Sequence, residues 1–258
     1  MKTKLLDLLI SSEKRKNLLM ILREGPKNLA DIRESLNVTS SGVIPQIRML
    51  EQRNLISQDE KGYVLTDTGR LLSNYLYPLI KIVDFIEESE DYWNTHDFTV
   101  IPDHLLLRLY ELGACKVDEV DLNTMYEPHR LFFESLSKSI WIKGVTPVYN
   151  PSYPEFLVNL ARAGKKISLI LAPEVFERCK KDNSALLEEF RTYDAEIYIF
   201  NDELKIASVV TDCYISLTPF LSSGGYDSRK NFICTDNSSI LWGEDLFEYL
   251  LNNSVKVL

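Results

Sequence analysis

Between Leu18 and Leu65 the spacing of apolar residues changes from the helical period to the two-residue period of a strand. That change constrains the fold more than any other feature of the chain. Leu18, Ile21 and Leu22 share one face of a segment that Ser11 or Ser12 can cap and that Gly25-Pro26 ends. Leu29, Ile32 and Leu36 share a face of a second segment, with Asn28 as its cap and Asp31 favourably placed in the first turn. Asn37-Val38-Thr39 reads as a tight turn. A third helix is expected from about Ser40 to Arg53, with Val43, Ile47 and Leu50 inward. Leu55-Ile56-Ser57 and Tyr63-Val64-Leu65 then read as two strands joined by residues 58–62, and Thr66-Asp67-Thr68-Gly69 starts another helix. Helix, helix-turn-helix and two-stranded wing predict a winged helix-turn-helix domain at residues 1–70, in which the third helix is the one that enters the major groove of double-stranded DNA.

Advancing about 100° per residue from Val43 puts Ser41, Pro45, Arg48 and Gln52 on the outer side of that helix, with Ser40 and Gln46 on its flanks. Arg48 can pair with guanine or hold phosphate, Gln46 can pair with adenine, and the serines can reach phosphate or base edges. Lys61 is the one cation of the wing, and Asp59 and Glu60 beside it oppose phosphate contact. Lys14, Arg15 and Lys16 on the first helix are expected to supply further electrostatic hold. Pro45 cannot donate to the Ser41 carbonyl, so the helix either starts late, near Ser41, or bends in its first turn.

Charge divides the same way. Residues 1–70 carry a net +3 and residues 71–258 a net −12, a mildly basic head on an acidic body. Residues 71–97 are expected to form a linker helix. Its Leu72, Leu76, Leu79, Val83 and Ile86 recur at a coiled-coil spacing that suits either a homodimer seam or packing on the second domain. Pro78 must kink or divide that helix.

Residues 98–258 read as an α/β domain with a central sheet, so the chain as a whole is α+β or α/β in class. Strands are expected at Ser139–Val145, Lys166–Leu171, Glu196–Phe200, Ile206–Thr211, Tyr214–Leu217, Phe232–Cys234 and Ile240–Trp242. Helices are expected at 102–112, 126–137, 153–163, 174–191 and 244–252. Tyr149, Tyr153, Phe220, Tyr226 and Trp242 fall at strand ends or loops, where aromatic side chains can line a small-molecule effector pocket or pack in the core.

Several classes are disfavoured. No apolar run is long enough to span a bilayer, and Asp7 with Glu13-Lys14-Arg15-Lys16 spoils a leader sequence, so no membrane partner is expected and the location reads as cytoplasmic. Cys115, Cys179, Cys213 and Cys234 have no metal-ligand spacing and read as free thiols, with no metal and no cofactor implied. No H-x-K, G-x-S-x-G, Walker or G-x-G-x-x-G pattern occurs, and no catalytic residue is assigned. The alternative to a regulator is a phospholipase D-like or other enzyme or interaction module, with the helix-turn-helix used for protein contact.

Thr39-Ser40-Ser41, the run from Leu50 to Ile56, and Leu65-Thr66-Asp67-Thr68-Gly69-Arg70 resemble archaeal winged-helix regulators near the ArsR/MarR group. Trp93-Asn94-Thr95-His96-Asp97-Phe98, Gly224-Gly225-Tyr226-Asp227 and the run from Trp242 to Tyr249 are similar to the methanogenesis-associated transcriptional regulators. That resemblance implies an archaeal regulator with a helix-turn-helix before an α/β domain that senses a signal.

Overall fold

The computed structural model describes residues 4–113, 115–119 and 130–258. The chain divides into two compact units, Met1–Lys81 and Ile82–Leu258.

The first unit contains helices α1 (Leu5–Ile10), α2 (Glu13–Leu22), α3 (Leu29–Leu36) and α4 (Ser40–Glu51). Strands β1 (Ile56–Asp59) and β2 (Gly62–Leu65) follow, then the start of α5 (Asp67–Glu88). The N-terminal leucines form a helix that sequence reading did not provide, and Leu8 and Leu9 are buried. Asn28 closes a reciprocal capping box. Its Oδ1 accepts from the N–H groups of Ala30 and Asp31 at 2.8 and 3.0 Å, and Asp31 accepts from the Asn28 N–H at 3.0 Å. Asn37 ends α3 in the left-handed region at φ 48°, which sets the turn into α4. Val43, Ile47 and Leu50 bury fully against Leu18, Leu22, Ile32 and Leu55.

Strands β1 and β2 pair antiparallel as far as Asp59 opposite Gly62, so the hairpin is longer than expected and only Glu60 and Lys61 form its turn. Backbone bonds between Lys27 and Tyr63 fasten the preceding chain to β2. The Leu65–Gly69 run then locks the wing to α5. Thr66 Oγ1 donates to the Asn54 carbonyl at 2.6 Å and accepts from the Gly69 N–H at 3.0 Å. A Cβ on Gly69 would stand 1.8 Å from the Leu55 carbonyl oxygen, so no side chain fits there. Helix α5 runs unbroken past Pro78 rather than dividing at it. Of the stripe seen in the sequence, Leu76 is buried and Leu72 partly buried in the first unit's own core, whereas Leu79, Val83 and Ile86 are exposed.

The second unit is built on a sheet with eight strands among the described residues. After the end of α5 come α6 (Glu90–Thr95), α7 (Asp103–Leu106), β3 (Lys116–Glu119), α8 (Arg130–Lys138), β4 (Trp141–Thr146), α9 (Tyr153–Arg162) and β5 (Lys166–Leu171). Then come α10 (Pro173–Asp182), α11 (Ser184–Phe190), β6 (Ala195–Phe200), β7 (Ile206–Thr211), β8 (Ile215–Pro219), β9 (Lys230–Cys234), α12 (Asn237–Leu251) and β10 (Ser254–Lys256). The strand order is β10-β6-β5-β4-β7-β8-β9-β3. Strands β4, β5 and β6 are mutually parallel, and every other pairing is antiparallel.

Three expectations are overturned here. Ile240–Trp242 is not a strand but the second turn of α12. All three residues lie in a helix whose inner face packs on the sheet, and Gly243 sits so close to β8 that a Cβ would meet Ile215 Cδ1 at 2.4 Å. The helix expected at 174–191 is broken at Asn183 into α10 and α11. Cys115 and Cys234 are not free thiols but a disulfide, with Cα atoms 4.4 Å apart. The reason is β3, which sequence reading missed: it pairs with β9 so that Lys116 opposes Ile233, which brings Cys115 opposite Cys234. Cys179 and Cys213 are free. The segment 126–129 of the expected helix 126–137 lies outside the described residues, and the remainder is α8.

Gly69→Ala is expected to lower stability by about 1–3 kcal/mol, because the backbone of Leu55 must move to admit a methyl group. Chemical denaturation of the variant against the parent chain checks this.

Candidate functional site

Helix α4 turns its apolar stripe inward, and this presents the opposite side outward. Ser41, Pro45, Arg48 and Gln52 are exposed, while Ser40 and Gln46 are half-buried on the flanks. Among the described residues Arg48 has no ion-pair partner. At the start of the helix the Ser41 and Thr39 hydroxyls lie 3.1 Å apart. Lys14 Nζ from α2 is 3.4 Å from the point where a Cβ on Gly42 would stand, so an ammonium sits at the first turn of α4, where free backbone N–H groups also favour anions. Pro45 stands inside α4, which begins at Ser40 rather than late. Lys61 is exposed at the hairpin tip, its backbone N–H donating to Asp59 Oδ1 at 2.8 Å.

Two of the expected contacts have internal duties. Arg15 is only 7% exposed. Its guanidinium donates from Nε to the Leu8 carbonyl at 2.7 Å, from Nη1 to Gln46 Oε1 at 2.8 Å and from Nη2 to Ser11 Oγ at 2.9 Å. It therefore ties α1, α2 and α4 together rather than adding to an electrostatic hold, and Gln46 is committed to it. The signal was present in the sequence, since Arg15 lies three residues before Leu18 and seven before Leu22, on the apolar face of α2. Lys16 is paired with Glu13 at 2.7 Å.

In the second unit the aromatic candidates separate. A cavity of about 110 Å³ lies among α8–α11 and the facing side of β4–β6, and Tyr149 and Tyr153 line it. Tyr149 accepts from Asn183 Nδ2 at 2.7 Å. A second cavity, about 100 Å³, lies over β7–β9, and Tyr153 and Tyr226 line it. Phe220 lines neither, and its ring packs 5.8 Å from that of Tyr226. Trp242 is fully buried and donates its indole N–H to the Leu105 carbonyl at 3.0 Å, so it is a core residue and no ligand contact.

The two motifs at 93–98 and 224–227, far apart in sequence, meet in space. Asp97 N–H donates to the Phe220 carbonyl, Ser222 N–H to the Thr95 carbonyl, and His96 bridges to Leu221. Buried His96 stacks on Tyr92 with ring centroids 3.6 Å apart and brings Nε2 to 3.4 Å from Asp227 Oδ2. Burial beside Asp227 pushes the Tyr92 phenol far above its usual range. Among the described residues no group of His, Cys, Asp and Glu could hold a metal ion, and no helix is long and apolar enough to cross a membrane.

A helical head with a short wing, joined to a unit with one large mixed sheet, is the architecture of a two-unit α+β chain. Residues 125–253 match the family described as the middle domain of methanogenesis regulatory protein FilR1, and residues 3–84 match its N-terminal domain. The chain belongs to this family. It is 26% identical over 249 residues to methanogenesis regulatory protein FilR1 of Methanothrix harundinacea (strain 6Ac), which covers 95% of this chain and 56% of that protein. The chain thus spans little more than half the length of that curated relative. Among solved structures it is similar to TrmBL2, an archaeal chromatin protein described as showing a novel mode of DNA binding (12% identity, 95% of this chain and 94% of that one, TM-score 0.45). It is also similar to NucT from Helicobacter pylori (12% identity, 55% and 99%, TM-score 0.41).

Arg15→Met is expected to destabilise the first unit by about 1–3 kcal/mol, because it leaves the buried Leu8 carbonyl without its donor. Thermal unfolding reads that loss. The salt dependence of any DNA binding should stay as in the parent chain, since Arg15 faces inward.

Proposed function

We propose that this chain is a DNA-binding transcriptional regulator, working in the cytoplasm as a homodimer, whose second unit senses a small molecule. The reading rests on one observation above all. Helix α4 follows the turn of a helix-turn-helix and keeps an outer side of Ser41, Arg48 and Gln52 exposed, while Val43, Ile47 and Leu50 hold it to the core. Membership of a regulator family supports the same reading. Arg48 reads a base or holds a phosphate, and Lys14, which stands at the first turn of α4, neutralises a second phosphate. Ser40, Ser41 and Gln52 add polar contacts, Pro45 adds apolar contact, and Lys61 reaches the backbone from the wing. Gln46 takes part only as far as its bond to Arg15 leaves its amide N–H₂ free. Residues 1–70 serve as the DNA-binding domain, 71–97 as linker and 98–258 as the sensing domain, with no catalytic step, metal or cofactor.

The dimer uses α5. Leu71, Tyr75, Leu79, Val83 and Ile86 stand exposed on it, 54% for Leu79 and 41% for Val83, in a ridge stepping four, four, four and three residues. Pairing two copies through that ridge would set two heads for half-sites about one DNA turn apart.

Arg48→Ala is expected to keep the fold and to weaken binding to the chain's own promoter by roughly 1–3 kcal/mol if Arg48 reads a base. If it holds phosphate, the loss should be uniform across sequences and the salt slope should fall by about one unit. Ile47→Ala should instead destabilise the fold by roughly 2–5 kcal/mol. Fluorescence anisotropy and thermal unfolding separate the two variants. Unchanged affinity and salt slope in Arg48→Ala, with Ser41→Ala and Gln52→Ala equally silent, would remove α4 as the reading helix. For the dimer, the Leu79→Glu/Val83→Glu variant should sediment as a folded monomer where the parent chain sediments as a dimer. A parent chain that is monomeric with and without DNA would overturn that part.

A further inference from the structure

One face of the large sheet changes character along its width. Across the pairing register, Ile197, Leu169, Gly144, Val209, Ser216 and Ile233 stand side by side. One strand step further along, Leu171 opposes Ile199, Ala207 opposes Thr218, and Asn231 opposes Asp118. The face is thus apolar over β6, β5 and β4 and polar over β8, β9 and β3. The polar half is not a wetted surface, because Ser216 and Thr218 are both more than nine-tenths buried.

The two cavities lie over the two halves and adjoin. Phe132, Thr146, Tyr153 and Val209 belong to the walls of both. The first is walled almost wholly by hydrocarbon. In the wall of the second, the buried Tyr214 hydroxyl and the Asn231 carbonyl oxygen have no hydrogen-bond partner among the described residues. Asn231 Nδ2 donates to Ser216 Oγ at 2.7 Å, which fixes the amide so that its oxygen is the end left over. Ser216 lies close enough to the Tyr214 hydroxyl to favour its ionised form without reaching hydrogen-bond geometry, and burial still pushes that phenol up to about 12. A buried acceptor left unpaired weakens the fold, so such a wall is suited to a guest that donates. Asp118 and Asp227 add two carboxylates, and the one ammonium among the described residues of that wall, on Lys230, is already 3.5 Å from Glu119.

We propose that the two cavities form one site for a small amphiphile, with a short apolar chain between α9–α11 and the sheet and a donor-bearing alcohol or amine head over β8 and β9. This rests on the reading of the second unit as a sensor and names the class of molecule it senses. An anionic head is disfavoured by the carboxylates. The chain is short: a cavity of roughly 150 Å³ holds a benzene ring, so one of about 110 Å³ suits roughly four carbons. Tyr153, at the junction, contacts both parts of such a guest.

Calorimetric titration of the full chain with pentan-1-ol, pentylamine and pentanoate tests this, with propan-1-ol and propylamine for chain length. The alcohol and the amine should bind one per chain, tightening about fourfold per methylene. Pentanoate should bind about tenfold or more weakly. Asn231→Leu should weaken the alcohol about tenfold, because it removes the guest's acceptor, and it should also lower the unfolding temperature, because it takes the donor from buried Ser216 Oγ. The parent-chain series decides alone if that variant does not fold. Equal or tighter binding of pentanoate, no effect of chain length, or no binding of alcohol and amine would overturn the proposal. Promoter affinity measured with and without pentan-1-ol separates the two readings. Binding with no change in promoter affinity would remove sensing and leave the site standing. No binding would remove the site and leave the DNA-binding head untouched.

Discussion

Strand β4 has a parallel neighbour, β5, on one edge and an antiparallel neighbour, β7, on the other, and the form of the second unit follows from that change of sense. A parallel step needs a crossover that carries the chain back, whereas an antiparallel step needs only a turn. Strands β4, β5 and β6 therefore bring α9, α10 and α11 with them, and those helices cover the sheet face they cross. Beyond β4 the connections are a short turn from β7 to β8 and a loop from β8 to β9, neither of which supplies a helix. The covered half is lined with Ile and Leu, and the other half carries Ser216, Thr218 and Asn231. Helix α12 packs against the opposite side of β7 and β4, where Gly243 lets it come close to β8. The cavities are thus a product of topology: they lie where helical cover gives out.

The first unit was largely legible in the sequence because its elements are short, amphipathic and clearly punctuated. Val43, Ile47 and Leu50 are as buried as their spacing requires, and Asn28 and Asp31 close the box that their separation allows. What escaped reading there were residues whose type suggests one role and whose position gives another. Arg15 is a cation on an apolar face, and three acceptors from other segments make that burial tolerable. Leu72 and Leu76 continue the repeat of α5 but belong to the head's own core, so the free ridge shifts to Leu71, Tyr75 and Leu79.

The second unit was legible in its interior and not at its edges. Apolar runs identified β5, β6 and β7 because strands flanked on both sides are apolar in most positions. Strands β3 and β10 are the outermost members of the sheet and only four and three residues long, and β3 is rich in charge, as edge strands commonly are, so no apolar run marks either. Missing β3 also meant missing the cysteine pair, which is visible only once the register is known. Ile240–Trp242 failed for the opposite reason: three consecutive apolar residues in a helix read locally like a buried strand. Of the aromatic candidates, Tyr149, Tyr153 and Tyr226 reach cavities and Trp242 does not, a difference set by which side of the sheet each element packs on.

The bond between Cys115 and Cys234 spans 119 positions and turns the chain between them into a covalent ring. Strands β3 to β9 and helices α8 to α11 belong to that ring, whereas α12, β10 and the whole first unit hang from it as two tails. In the chain-entropy picture a closure of this length removes roughly 5 kcal/mol of freedom from the unfolded chain. A single protease cut inside the ring therefore leaves one connected molecule that keeps its mass until a reductant is added. A cut in either tail sheds a fragment at once. The pattern of bands with and without reductant maps any nick to ring or tail, and it reports the redox state of the pair in the same gel.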